Sequence, residues 1–417
     1  MTADLLRGVT VVEWAVGLSA AYCGRILAEL GAEVLKIEQP GTGDALRHEG
    51  PFGPDAPYGG DSALFAYVNA GKRSITLDPD RPTGADLLKR LTDRSQILLE
   101  SGRASRSSTP WLGAGALRRE NPRLVWLSVT PYGRTGSRRD RATSDLVIQH
   151  FAGWAYHQAM PVADPGRTPP VGGADREGPL AAGIAGAIAA LWGLLMVQAG
   201  HAGPDIDLAV SDFYAHLLVE PVGNWSRGER RFNRRRKENS GGAEVAGGLV
   251  WILPCADGFV MVSPREQHQW QRWIEVLGGP EWSTDAALCG DREARRANGL
   301  RLQELMAEWS VNHSRREVFE RAQAARVACF PISTPADLLT NAQLEHRGFF
   351  HRLPTADGTA LPIPGLPFHM RTTDGAELPR KSVVRSPALG EANPEVFLGR
   401  LGLSSAELEE LRRHGVV

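Results

Sequence analysis

Apolar and polar positions in the first half of the chain follow two alternating periods. Residues 9–15 (VTVVEWA) are β-branched and apolar between two glycines, the pattern of a strand buried on both faces. Residues 19–30 then take helical spacing, with Ile26, Leu27 and Leu30 on one face and Gly31 as the stop. Residues 32–38 (AEVLKIE) return to a strand, making a β-α-β unit with parallel pairing. The alternation continues with strands over 74–78, 96–100, 124–130 and 206–210, and helices over 84–91, near 112–120 and from 211. This predicts a doubly wound parallel sheet, whose ligands sit beyond the carboxyl ends of the strands. The first turn, Val16-Gly17-Leu18-Ser19, lacks the G-x-G-x-x-G of dinucleotide folds, so a nicotinamide or flavin reading has no support there.

The pattern changes at Arg227. The run RGERRFNRRRKENSGG is basic and ends in glycines, as a solvated linker or arm would be; a phosphate-binding face is the alternative. Residues 249–263 read as a hairpin about Ala256-Asp257-Gly258, followed by amphipathic helices over 265–277, 292–309 and 315–326. From Thr334 the chain is rich in Pro and Gly and finishes in a helix over 405–414, a tail expected to pack on the first domain. The expected organisation is an α/β domain over 1–225, a linker over 226–248, a small α+β domain over 249–333, and a returning segment over 334–417.

Composition narrows the functional classes. The 417 residues are 42% hydrophobic and 23% charged with a formal net charge of −1, so no global charge favours nucleic acid or an anionic membrane. Four dispersed cysteines, Cys23, Cys255, Cys289 and Cys329, suit a reducing cytoplasm better than a disulfide framework or a metal site. The first residues lack the basic start and cleavage region of a signal peptide. Residues 180–197 are uncharged and long enough to span a membrane, but they are single, Ala- and Gly-rich and without basic anchors. A buried helix, apolar on every side, is expected.

Candidate chemistry gathers at 170–191, PVGGADREGPLAAGIAGAIAAL. Gly172 and Gly173 bring bare backbone to a surface, and Pro179 suits a first helical turn. Asp175 lies just ahead of that turn, where the helix dipole keeps a carboxylate ionised and able to attack a carbonyl. The plainer alternative is a capping or loop aspartate.

Motifs along nearly the whole chain resemble those of the class III CoA-transferase family, also called CaiB/BaiF. They are LAELGAEVLKIEQPGTGDALR, VNAGKRSITLD, LRRENPRLVWLSVTPYGRTG with SDLVIQHFAG, and the closing FPISTPADLLTNAQLEHRGFF and PALGEANPEVFLGRLGLSSAELEEL. The resemblance implies a Rossmann-like large domain, a small α+β domain, a C-terminal segment returning to the large one, and two chains interlocked as a homodimer. It implies transfer of coenzyme A from an acyl-CoA to a carboxylic acid, with CoA as substrate and no permanently bound cofactor. The family nucleophile falls on Asp175. Backbone N–H groups near Gly172, Gly173 and Gly178 would stabilise the oxyanions. CoA contacts fall on Val16, Gly17, Lys72, Arg73, Ser101 and Arg103.

The chain departs from the family pattern in places. The family's Asn-Phe-x-Pro-Gly loop is Ser101-Gly102-Arg103-Ala104-Ser105 here, and a Gly-Pro in the first loop is Ala20-Ala21. Racemases of the family carry a histidine just before the aspartate that matches Asp145; here that position is Ser144, which argues against His/Asp proton transfer. His150 and His157 are read as packing or surface residues, and Glu177 and Asp145 as the next carboxylates to test. Two alternatives stay open: an acyl-CoA racemase or isomerase, and a catalytically weak subunit that pairs with an active paralogue.

Overall fold

The computed structural model describes residues 5–51, 62–101, 114–158, 164, 166–173, 176–228, 244–245, 248–354, 360–378 and 384–417. The chain divides into two compact units. The larger comprises Met1–His157, Gly172–Val222 and Gln343–Val417; the smaller comprises Gln158–Val171 and Gly223–Ala342.

In the larger unit the elements run β1 (Thr10–Trp14), α1 (Leu18–Glu29), β2 (Glu33–Glu38), α2 (Ala63–Asn69), β3 (Arg73–Thr76), α3 (Pro82–Thr92), β4 (Ile97–Glu100), α4 (Ala114–Glu120) and β5 (Val125–Thr130). They continue with α5 (Asp145–Phe151), α6 (Trp154–Gln158), α7 (Glu177–Gln198), β6 (Asp205–Ala209) and α8 (Val210–His216). The strands form one parallel sheet in the order β3-β2-β1-β4-β5-β6. Side chains alternate across it, so each strand serves two cores. Val11, Val34, Leu99 and Leu127 face α1 and α7, whereas Val12, Trp14, Leu35, Leu98 and Trp126 face α3, α4 and the end of the chain.

The returning segment completes that second core. Ala392, Val396, Phe397, Leu408, Val416 and Val417 all pack into it. The helix Pro394–Arg400 is also held by charge, because Arg73 and Arg400 both bind Glu33 and Glu395. Arg73, and then Arg400, hold the Glu395 carboxyl down to about 2, and Arg400 holds that of Glu33 below the ordinary value of 4.5. A carboxyl lowered in the fold stabilises it above the unfolded pKa and loses that contribution as pH falls through the folded value. Docking of residues 394–400 should therefore loosen between pH 4.5 and about 2. Amide exchange of this segment, pulsed at successive pH values, would show protection lost over that window before the sheet opens.

Helix α7 corrects one expectation. It packs on α1 through Gly183, where a Cβ would lie 2.8 Å from the Ser19 carbonyl, and through Gly186 against Cys23. Its other face is open rather than buried: Ile184, Ile188, Trp192 and Leu195 are exposed, Trp192 to 66%. A run apolar on every side carries no phase, so its pattern could not tell a two-sided helix from a buried one.

The smaller unit contains a three-stranded antiparallel sheet, β9-β8-β7, from β7 (Trp251–Cys255), β8 (Gly258–Val262) and β9 (Cys329–Pro331). Helices α9 (Gln267–Val276), α10 (Gly299–Ser310) and α11 (Arg315–Ala324) cover a core of Trp251, Trp270, Trp273, Leu302, Met306 and Val318. The helix expected over 292–309 is two helices. Asn298 ends the first, its amide donating to the carbonyls of Ala287, Leu288 and Ala294. The unit also runs on to Ala342 rather than 333, because Asp337 in the helix Pro335–Leu339 is paired with Arg315 at 3.0 Å. Most of the basic run after Arg227 lies outside the described residues.

Candidate active site

The strand order reverses between β1 and β4, the position at which open α/β sheets bind ligands. Val16 and Gly17 leave β1, and Ser101 leaves β4. The structure brings them together: the Val16 N–H donates to Ser101 Oγ at 2.9 Å. Gly17 has φ +90°, with open space where a side chain would stand, so backbone alone faces the opening there. Beside it a cleft of about 180 Å³ is bounded by Ala15, Val16, Ile37, Gln39, Gly43 and Ala45. Arg103 lies outside the described residues.

The cleft rests on buried charge. Glu38 accepts both Arg47 Nε and Nη2 at 2.7 Å, the Ser74 hydroxyl at 2.6 Å and the Asp44 N–H at 3.0 Å. Burial alone would raise the Glu38 carboxyl, but the Arg47 bonds outweigh it and hold it low. Arg47 also donates to the Pro387 carbonyl at 3.0 Å, which ties the cleft loop to the returning segment. Below this, Glu13 lies between two ammonium groups, Lys36 at 2.9 Å and Lys72 at 2.7 Å, and Lys36 also meets Asp44 at 2.6 Å.

Two expected CoA contacts, Lys72 and Arg73, are engaged within the chain. The Lys72 side chain is fully buried, and its ammonium is spent on Glu13, the Ala21 carbonyl and Asn69 Oδ1. It braces the sheet against α1 and α2. Arg73 stands at the amino end of β3, opposite to the ligand edge, and is engaged by Glu33 and Glu395. A basic pair after a loop looks the same in sequence whether it faces solvent or the core.

The second part of the site is the start of α7. Asp175 lies outside the described residues; Gly173 and Arg176 are the described residues nearest to it in the chain. The Gly173 N–H donates to Gln149 Oε1 at 2.7 Å, and the Arg176 N–H donates to Asp145 Oδ2 at 3.1 Å. Asp145 further accepts Gln149 Nε2 at 2.8 Å and the Tyr214 hydroxyl at 3.0 Å. Gly172 sits close against Leu146 and Gln149. At Gly178 a Cβ would fall 2.1 Å from the Tyr214 ring, so only glycine admits that ring, and the Gly178 N–H faces the Tyr214 hydroxyl. Two of the three glycines expected as oxyanion donors, Gly173 and Gly178, thus have their N–H groups directed to side chains. Burial, and then Asp145, push the Tyr214 hydroxyl well above its ordinary pKa, so it stays a donor.

Of the other carboxylates, Glu177 is exposed in the first turn with Trp154 Nε1 at 3.4 Å. The His150 ring meets the Leu146 carbonyl, and the His157 ring lies against Trp154. Sequence reasoning missed Gln149 and Tyr214. The four-residue step from Asp145 to Gln149 on one helix was a legible signal; nothing local joins Asp145 to Tyr214, 69 residues away. The start of α7 lies near the cleft side of the sheet: Leu180 packs against the cluster of Leu18, Ala21, Leu46, Phe65 and Val68, and Gly183 approaches the Ser19 carbonyl at the start of α1. No group of three His, Cys, Asp or Glu side chains able to hold a metal occurs among the described residues.

Comparison with known proteins agrees with this geometry. The model of CoA-transferase family III matches residues 6–393. The beta subunit of the succinyl-CoA–L-malate CoA-transferase of Chloroflexus aurantiacus is 29% identical over 99% of this chain and 98% of its own length. A subunit of the succinyl-CoA:(R)-benzylsuccinate CoA-transferase of Thauera aromatica is 29% identical over 95% of this chain and 94% of its own. Among solved structures, a CaiB/BaiF family protein from Brucella suis superposes with a TM-score of 0.79 at 26% identity, covering 97% of this chain and 99% of that one. With the doubly wound sheet, the switch-point cleft and a family match across nearly its whole length, the chain belongs to CoA-transferase family III and is an enzyme of that family.

Proposed function

We propose that this enzyme moves CoA from an acyl-CoA to a carboxylic acid through a thioester on Asp175. The observation that carries the reading is the position of the start of α7, two residues beyond Asp175, near the cleft side of the sheet. In this reading the CoA moiety enters past Val16, Gly17 and Ser101, and the thioester carbonyl reaches the helix start. The Asp175 carboxylate attacks that carbonyl and expels CoA thiolate, leaving a mixed anhydride. The thiolate then attacks the aspartyl carbonyl, which releases the donor acid and leaves an aspartyl-CoA thioester. The acceptor carboxylate repeats the sequence in reverse and leaves as acyl-CoA. The positive end of the α7 dipole and the Gly172 backbone favour each oxyanion. On incubation with an acyl-CoA the protein should gain the mass of CoA, on the peptide that contains Asp175, and lose it to hydroxylamine. A protein that transfers CoA with no adduct on that peptide would overturn the mechanism.

Two of the relatives are named as subunits, which favours a second reading, a chain that works beside a paralogue. Adduct formation by the purified chain alone argues against it. The four cysteines are unpaired thiols, in keeping with a cytoplasmic setting. We further propose a homodimer, interlocked as the family resemblance implies, in which the open stripe Ile184, Ile188, Trp192 and Leu195 of α7 is covered by the second chain. Sedimentation at low micromolar concentration should show a dimer, and Ile188→Asp with Trp192→Glu should shift it toward monomer. A wild-type monomer would overturn this.

A further inference from the structure

We infer that Tyr214 and Gln149 are positioning residues that hold the backbone on both sides of the reacting carboxylate; the inference rests on the Asp175 reading above. The two anchored amides are those of Gly173 and Arg176, one on each side of residues 174 and 175. Gly173 is held by Gln149 Oε1 at 2.7 Å and Arg176 by Asp145 Oδ2 at 3.1 Å. These acceptors are not independent. Gln149 Nε2 donates to the same Asp145 oxygen at 2.8 Å, and the Tyr214 hydroxyl donates to the other at 3.0 Å. One carboxylate and one amide thus clamp Gly173 and Arg176, the residues that flank positions 174 and 175.

Two further features show that the clamp is built to hold. Arg176 has φ +66°, a left-handed conformation unfavourable for a residue with a side chain, and its amide is the one that Asp145 secures. Tyr214 cannot move aside, because its ring fills the space left by Gly178 and lies 5.8 Å from the Trp154 ring. It is wedged between the first turn of α7 and α6, with only its hydroxyl directed at Asp145. Attack on a thioester demands that the carboxylate meet the carbonyl at the right distance and angle. A misplacement of about 1 Å is enough to cost about a hundredfold in rate. Tyr214 and Gln149 touch no reacting atom in this account; they act through Gly173 and Arg176.

The decisive variant is Tyr214→Phe, which removes one oxygen and keeps the ring that packs on Gly178. The expected result is a fall in kcat of about tenfold or more, with KM for acyl-CoA changed by less than about twofold. The rate at which the Asp175 peptide gains CoA in a single turnover should fall by the same factor, with the melting transition retained. Asp145→Asn keeps an oxygen acceptor for the Arg176 amide, so it should lose less rate than Asp145→Ala and serves as the conservative rescue. An unchanged kcat and labelling rate in Tyr214→Phe, or a change confined to KM, would overturn the clamp while leaving the nucleophile intact. Absence of any label on the wild-type Asp175 peptide would remove the nucleophile and the clamp together, so the two failures are told apart by the wild-type control.

Discussion

Replacing Asp175 with alanine should stop CoA transfer and abolish the covalent adduct, with a loss in kcat of roughly 10³-fold or more. The step requires a carboxylate whose oxygen attacks the thioester and whose carboxyl carbon then becomes the acyl group that CoA thiolate captures. Asp175→Asn should be equally inactive, since an amide of the same shape is a poor nucleophile. Stability should change by no more than about 1 kcal/mol, the contribution of a loop cap. Transfer assays and intact-mass measurement on both variants check this. Persistent transfer would shift attention to Glu177 or Asp145. Neither is well placed to substitute: Glu177 is exposed beside Trp154, and Asp145 already accepts from Gln149, Arg176 and Tyr214. A racemase or isomerase would instead exchange the α-proton of an acyl-CoA with solvent deuterium and form no adduct.

Glu13→Leu should be the most damaging substitution for the fold, at about 3–5 kcal/mol. Glu13 is the shared counter-ion of Lys36 and Lys72, all three side chains being buried. Its removal leaves Lys72 with no carboxylate partner and Lys36 with Asp44 alone. Lys72→Met should cost clearly less, because Glu13 keeps Lys36, and it should leave the salt dependence of CoA binding unchanged. Burial, opposed by Glu13 and reinforced by Lys36, lowers the Lys72 ammonium from 10.5 to about 8. Between those values the unfolded chain binds the extra proton, so the Lys72 contribution to stability should rise with pH from about 8 to 10.5. Denaturant titrations of wild type and Lys72→Met across that range isolate the effect by difference. A Glu13→Leu variant as stable as wild type would show that the three charges are not coupled.

Much of this architecture is written in local pattern. The elements of the β1-α1-β2 unit and the hairpin of the smaller unit follow from period and punctuation, because each strand, helix or turn is decided within about a dozen residues. The start of α7 near Pro179 and the family motifs were legible in the same way. So was the place of Val16, Gly17 and Ser101 just beyond the carboxyl ends of β1 and β4. Other features were decided only when distant segments met. Nothing in its own segment marks Lys72 as buried; only the fold brings Glu13, 59 residues earlier, against it. Helix α7 shows no phase in its own sequence, and only packing against α1 leaves one stripe open. The Asp145–Tyr214 bond joins two helices across 69 residues. The physical reason is the same in each case: local spacing sets which face a side chain occupies, whereas burial and charge pairing depend on which other segment the sheet order places opposite that face.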